Sequence, residues 1–117
     1  MESDSREALE TVAASAFGFI RDLQQGEPMI NLLAYYDSSW QILLFPRDRH
    51  RPWQYFEEGE QNILLSPASV DMGGTLITPL EKDFEKITRE DIRDIFSQIR
   101  FSPGHFEEMK RFLSTKF

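Results

Sequence analysis

Two apolar and aromatic runs, separated by three small polar residues, restrict this chain more than any other feature. The first runs from Met29 to Tyr36 and the second from Trp40 to Phe45, with Asp37-Ser38-Ser39 between them. Runs of this length and composition, joined by turn residues and closed by Pro46, read as a β-hairpin. So short a connection demands antiparallel pairing, because a parallel pair needs a long crossover. Both runs are nearly continuous in apolar residues rather than alternating. That predicts burial on much of both faces.

The flanks predict helices. Asp4 and Glu7 have capping-box spacing, with Asp4 as N-cap. From there Leu9, Val12, Ala13, Ala16, Phe17, Ile20 and Leu23 recur at steps of three and four, one apolar stripe on a helix over about 5–25. Gly26 and Pro28 close it. After the hairpin a polar stretch runs from Arg47 to Gln61. Ile63-Leu64-Leu65 reads as a short strand, Ser66 to Gly74 as a loop, and Leu76-Ile77 as part of a last strand. Thr78-Pro79-Leu80-Glu81 then offers an N-cap, a proline at the first helical position and a returning Glu. Thr88 and Asp91 cap the next helix, whose buried face is Ile92, Ile95, Phe96 and Ile99. Ser102-Pro103 opens a last helix with Phe106, Met109, Phe112 and Leu113 inward. The expected fold class is α+β: a small antiparallel sheet of about four strands, with an N-terminal helix and C-terminal helices packed on it. A single domain is expected over 1–117, made of an N-terminal helix and connection (1–27), a sheet region (28–78) and a helical region (79–117).

Charge and composition limit the partners. A chain of 117 residues buries roughly two-thirds of its unfolded surface, enough for one core. Twenty acids against 13 Lys plus Arg give a net charge of −7, a field that repels nucleic acid and anionic membrane. Neither is expected as a partner, and any polyanion site must be a local basic patch. With no cysteine, disulfides, thiol catalysis and thiolate metal sites drop out. No apolar run approaches the length of a membrane span. The start Met1-Glu2-Ser3-Asp4 lacks the basic and apolar regions of a secretory signal, so a cytoplasmic location is expected.

Such a basic patch exists. Phe45-Pro46-Arg47-Asp48-Arg49-His50-Arg51-Pro52 holds three arginines and one of the chain's two histidines. In an extended segment, residues two apart share a face, so Arg47, Arg49 and Arg51 can line up toward one anion. Arg grips phosphate or carboxylate bidentately, and Trp53, Tyr55 and Phe56 follow to stack a base. The plainer alternative is a solvated strand exit whose arginines answer Asp48, Glu57 and Glu58. A second candidate is the loop Ser66 to Gly74, where Gly73 and Gly74 permit close approach of a ligand and Asp71 accepts hydrogen bonds from a sugar or pairs with an arginine of the first patch. Its alternative is a loop whose glycines serve turn geometry and whose Asp71 orders it. Gly73-Gly74 lacks the spacing of a phosphate loop. The candidate ligand-binding residues are therefore Arg47, Arg49, His50, Arg51, Asp71, Gly73 and Gly74. His50 has no neighbour at metal-ligand spacing, and His105, expected on the surface, has no acid or nucleophile near it in sequence. No catalytic residue, metal or cofactor is expected.

Asn31-Leu32-Leu33, Ile42-Leu43-Leu44-Phe45-Pro46-Arg47, Ser66-Pro67-Ala68-Ser69-Val70-Asp71-Met72-Gly73-Gly74 and Asp83-Phe84-Glu85-Lys86-Ile87-Thr88 occur in that order. The series resembles the C-terminal region of GDP-L-galactose phosphorylase-like proteins and a related bacterial domain family, over about residues 28–115. These belong with the histidine-triad-like and galactose-1-phosphate uridylyltransferase-like superfamily, so the resemblance implies a histidine-triad-like half. In such proteins a histidine of a His-x-His-x-Gln/His motif, upstream of this region, attacks the α-phosphate and carries the nucleotidyl group. This chain holds only His50 and His105, far apart, and no His-x-His, so the nucleophile transfers to no residue here. Three readings follow, and we order them thus. The chain is the non-catalytic C-terminal part of a nucleotidyltransferase- or phosphorylase-like protein, packing on a catalytic histidine-triad-like half and helping form its nucleotide or sugar-phosphate cleft. Or it is a stand-alone nucleotide- or anion-binding module using Arg47 to Arg51. Or it is an interaction domain without ligand, with a homo-oligomer among its assemblies. Continuous apolar strands with a face bare of helix leave a patch for a missing half to cover.

Overall fold

The computed structural model describes all residues, 1–117. In chain order the elements are β1 (Glu2–Ser3), α1 (Arg6–Gln24), β2 (Ile30–Asp37), β3 (Ser39–Pro46), two single 3₁₀ turns (Trp53–Tyr55 and Gly59–Gln61), α2 (Ser69–Met72), α3 (Glu81–Lys86), α4 (Arg89–Ile99) and α5 (Pro103–Lys116). The fold is α+β, with a small antiparallel sheet. The chain divides into two compact units, Met1–Pro46 with Phe101–Phe117, and Arg47–Arg100.

The first unit is built on the hairpin. β2 and β3 pair antiparallel from Ile30↔Pro46 to Asp37↔Ser39. Ser38 turns the chain with a left-handed φ of 61°, a conformation that Ser adopts at some cost. The sheet has three strands in the order β1-β3-β2, where about four were expected. The third strand is the N-terminus itself. Glu2 and Ser3 pair with Gln41 and Trp40. The Met1 ammonium donates to the Ile42 carbonyl at 2.9 Å, and the Ile42 N–H donates back to the Met1 carbonyl at 2.8 Å. Two residues carry no periodicity, so only the docked edge of β3 reveals this strand.

α1 begins one residue later than predicted, because Ser5 rather than Asp4 is the N-cap and its hydroxyl accepts the Ala8 N–H at 3.3 Å. It ends one residue earlier than the glycine signal, with Gln25 left-handed at φ 54°. Leu9, Ala13, Ala16 and Ile20 form its buried face. Ile20, Phe101 and Met109 make the core, with Phe19, Ile30, Leu44 and Leu113 packed around it. Burying a side chain the size of Ile20 contributes about 1.5–3 kcal/mol. Ser102 and Pro103 open α5 as predicted, the Ser102 hydroxyl accepting the His105 N–H at 3.2 Å. Phe106 does not point inward: its ring is exposed and lies under the Lys110 ammonium, 5.2 Å away. Burial of the hairpin on both faces also fails, since Tyr35 and Tyr36 are 50% and 63% exposed. The core grips the Ile30–Leu44 end of the hairpin and leaves the turn end open.

The second unit carries less regular structure. Neither predicted strand forms. The Ile63 N–H goes to the Gln54 carbonyl at 3.0 Å and the Leu64 N–H to the Asp83 carboxylate at 2.9 Å. Side-chain acceptors thus replace a strand partner for Leu64 and, further on, for Ile77, whose N–H donates to Asp71 at 3.1 Å. α3 starts at Glu81 with Leu80 at its N-cap and no side-chain cap, so the predicted threonine cap does not form. α4 follows the sequence closely. The Thr88 hydroxyl accepts the Asp91 N–H at 3.1 Å while the Asp91 carboxylate accepts the Thr88 N–H at 3.0 Å, the capping box read from spacing. Ile95 and Ile99 are buried, as is Leu65. No helix is long and apolar enough to cross a membrane.

Candidate anion-binding cleft

β3 ends at Pro46, and the next residue settles the site. Arg47 forms an isolated antiparallel bridge with Arg100, and the Asp48 N–H donates to the Ile99 carbonyl at 2.8 Å. The chain bends there instead of continuing as a strand. The Arg47 side chain turns inward and is 6% exposed. Its Nε donates to the Arg49 carbonyl at 3.1 Å, and its two terminal nitrogens donate to the carbonyls of Pro67 and His50. Burial pushes the Arg47 guanidinium below its ordinary pKa, and the charge of Asp71 works against that shift. Arginine stays protonated at neutral pH under such a change. The fork that the sequence offered to an external anion is spent on three backbone oxygens. It sutures the Arg49–His50 turn to the loop at Pro67.

The residues it holds are the exposed ones. Arg49, His50 and Arg51 all lie at the surface. The Ser66 hydroxyl donates to the His50 carbonyl at 3.0 Å, a second tie between the two segments. The Arg51 guanidinium sits 4.2 Å over the centre of the Tyr55 ring, a cation–π contact that fixes it beside the aromatic run. Arg47, Arg49, His50, Arg51, Trp53 and Phe56 line one open cleft of about 830 Å³, with Ser66, Pro67 and Ala68 on its far wall. Trp53 and Phe56 are 44% and 69% exposed, so their rings remain available to a ligand.

The sequence grouped the basic and aromatic residues correctly but missed Ser66, Pro67 and Ala68 as part of the same cleft. The Arg47 suture and the Ser66–His50 bond bring that loop in. The other three candidates stand elsewhere. Asp71 accepts the Ala68 N–H at 2.7 Å and the Ile77 N–H at 3.1 Å, which orders the loop. Gly73 closes α2 in an ordinary helical conformation, and Gly74 takes φ 105°, a conformation that favours glycine. None of the three lines the cleft. His105, expected on the surface, is half-buried with its ring edge-on to Phe101 at 5.5 Å. No group of His, Asp or Glu side chains is placed to hold a metal ion. The cleft offers exposed guanidinium groups and aromatic faces, which are groups that bind.

A family model described as GDPGP1-like, C-terminal domain, matches residues 2–117. The match takes in α1 as well as the stretch that carried the resemblance in sequence. No curated protein and no solved structure matches the chain.

Proposed function

This chain belongs to the GDPGP1-like C-terminal domain family, and we propose that it serves there as a non-catalytic module of a nucleotidyltransferase- or phosphorylase-like protein. In this reading it packs on a histidine-triad-like catalytic half and lends its arginine cleft to the phosphates of a nucleotide or sugar phosphate. Arg49 and Arg51 meet the phosphate oxygens, and Trp53 and Phe56 stack on the base or sugar. The observation that supports the reading best is the cleft itself, which gathers exposed Arg49, Arg51, Trp53 and Phe56 in a chain of net charge −7. Its volume suits a small-molecule site, which typically occupies about 300–1,000 Å³. The chain's two separated histidines supply no nucleotidyl-accepting pair, which supports a supporting rather than a catalytic role.

The test is thermal denaturation with a panel of guanosine and adenosine diphosphates, sugar 1-phosphates and inorganic phosphate. A ligand at tenfold its Kd stabilises the native state by about 1.4 kcal/mol, a rise of several degrees in Tm for a domain of this size. The shift should vanish in Arg49→Ala and Arg51→Ala, both exposed and outside the fold's buried contacts. Arg47→Ala is unsuitable, because it would loosen the cleft wall whether or not ligand binds. No shift at millimolar ligand would overturn the binding role. A catalytic half that fails to co-elute with the domain would overturn the packing role.

A further inference from the structure

α1 buries one face and leaves another unpartnered. Glu7, Thr11, Ala14, Gly18 and Asp22 follow one another at three- and four-residue steps, so they lie on a single side of the helix. With Phe112 of α5 they line an open groove of about 930 Å³. The floor is apolar and shallow. Phe19 and Phe112 pack at its base with ring centres 5.1 Å apart, and Leu23 is partly exposed at one end.

Gly18 makes this more than a gap between helices. A glycine inside a helix is less stable than alanine there. A Cβ at Gly18 would meet nothing within 4 Å, so no packing within the chain requires the glycine. What a missing side chain does provide is close approach from outside. Ala14 and Ser15, one turn earlier, keep the same trough shallow. From Glu7 to Asp22 the trough runs about 22 Å along the helix, some four turns.

The rim says what fits. Glu7, Glu10, Asp22 and Glu108 line the groove, against the single cation Lys116. Glu10 and Asp22 have surface partners in Arg6 and Arg21, at 2.8 and 3.8 Å, but neither arginine lines the groove. Such exposed pairs are weak and exchange readily for another cation. A second copy of this chain would bring the same acids to the rim and be repelled. We propose that the α1–α5 groove docks an amphipathic, basic α-helix of another protein: small apolar residues seat over Gly18, and flanking Lys and Arg meet the acidic rim. Helix-in-groove recognition of this kind reads anchors at the i, i+3/i+4 and i+7 spacing. The inference is independent of the arginine cleft and of any nucleotide.

The experiment uses the full chain and two fluorescein-labelled 20-residue helical peptides sharing one Ala/Leu stripe, the rest Lys and Arg in one and Glu in the other. Anisotropy titration should give saturable binding of the basic peptide, about tenfold or more tighter than the acidic one, weakening as salt is raised. Gly18→Leu should weaken the basic peptide by about tenfold or more while helicity by circular dichroism and Tm stay at or above wild type, since the site is open and leucine favours a helix over glycine. Asp22→Lys with Glu108→Lys should shift the preference toward the acidic peptide. Equal affinity for both peptides, no saturable binding, or indifference to Gly18→Leu would overturn the proposal. So would a concentration-dependent dimer abolished by Gly18→Leu, which would make a second copy the occupant. If Gly18→Leu disturbs folding, the charge-reversed variant still decides, because it leaves the floor intact.

Discussion

Residues 1–46 with 101–117 and residues 47–100 satisfy their backbones in different ways. The first unit uses ladders: β2 and β3 pair along eight residues each, and α1 and α5 run 19 and 14 residues. Its core is apolar, centred on Ile20, Phe101 and Met109. The second unit has one helix longer than six residues, and its irregular backbone is tied by side chains. Arg47 serves three carbonyls, and Asp71 serves two amides. The buried Asp83 serves the Leu64 amide and pairs with Lys82 at 2.7 Å, while Lys82 also reaches the Asn62 carbonyl at 2.9 Å. The lesson is that a chain can close irregular backbone with a few polar side chains, at the cost of concentrating stability in single residues. Buried polar backbone must find partners somewhere.

The comparison is broken most directly by removing one residue from each unit. Arg47→Ala removes three hydrogen bonds at once and leaves the Arg49 and Pro67 carbonyls unmet, the His50 carbonyl keeping Ser66, and is expected to cost about 2–6 kcal/mol, at about 1–3 kcal/mol for each unmet group. Ile20→Ala, the corresponding deletion in the apolar unit, is expected to cost about 2–5 kcal/mol. Urea denaturation measures both, and hydrogen exchange locates them. Arg47→Ala should release amides in 47–100 first, and Ile20→Ala those of α1 and the hairpin. If both variants expose the same amides equally, the division into two modes of stabilisation does not hold.

Smaller changes sharpen the same contrast inside the regular unit. Gln25 ends α1 in a left-handed conformation that glycine adopts freely. Gln25→Gly should therefore raise stability by about 0.5–1 kcal/mol in thermal melts. The smallest effect concerns β1. The Ser39 hydroxyl, donating at 2.7 Å, and next the Gln41 side chain hold the Glu2 carboxyl below its ordinary pKa. A carboxyl with a depressed folded-state pKa contributes stability above its unfolded value and loses it as pH falls through the folded one. Wild type should thus lose a small increment below about pH 4.3, the ordinary Glu value, that Glu2→Gln does not. Parallel acid titrations of the two proteins would discard this if they differed by a constant at every pH.

Much of the fold was legible. The hairpin and its turn, the α4 capping box and the Ser102-Pro103 start of α5 all follow from local chemistry, because each involves residues a few positions apart. What stayed hidden involves partners far apart. β1 exists only because β3 offers an edge, and Ile63 to Leu65 fail to form a strand because Gln54 and Asp83 take two of their amides. In the cleft, spacing found Arg49, His50, Arg51 and Trp53 but gave Arg47 an outward role.

The sequence by itself determined the fold class, the hairpin, the positions of α1, α4 and α5 to within a few residues, and the family, since these rest on periodicity, turn chemistry and an ordered series of short motifs; the short α2 lies where a loop was read. Tertiary structure alone decided that Arg47 is a suture and its neighbours the exposed cations, and that α1 keeps an open acidic face around Gly18. The physical reason is the same in both places. A side chain's role follows from which groups surround it, and burial beside the distant Pro67 carbonyl, or the lack of a neighbour beside a glycine, is not a local property of the chain.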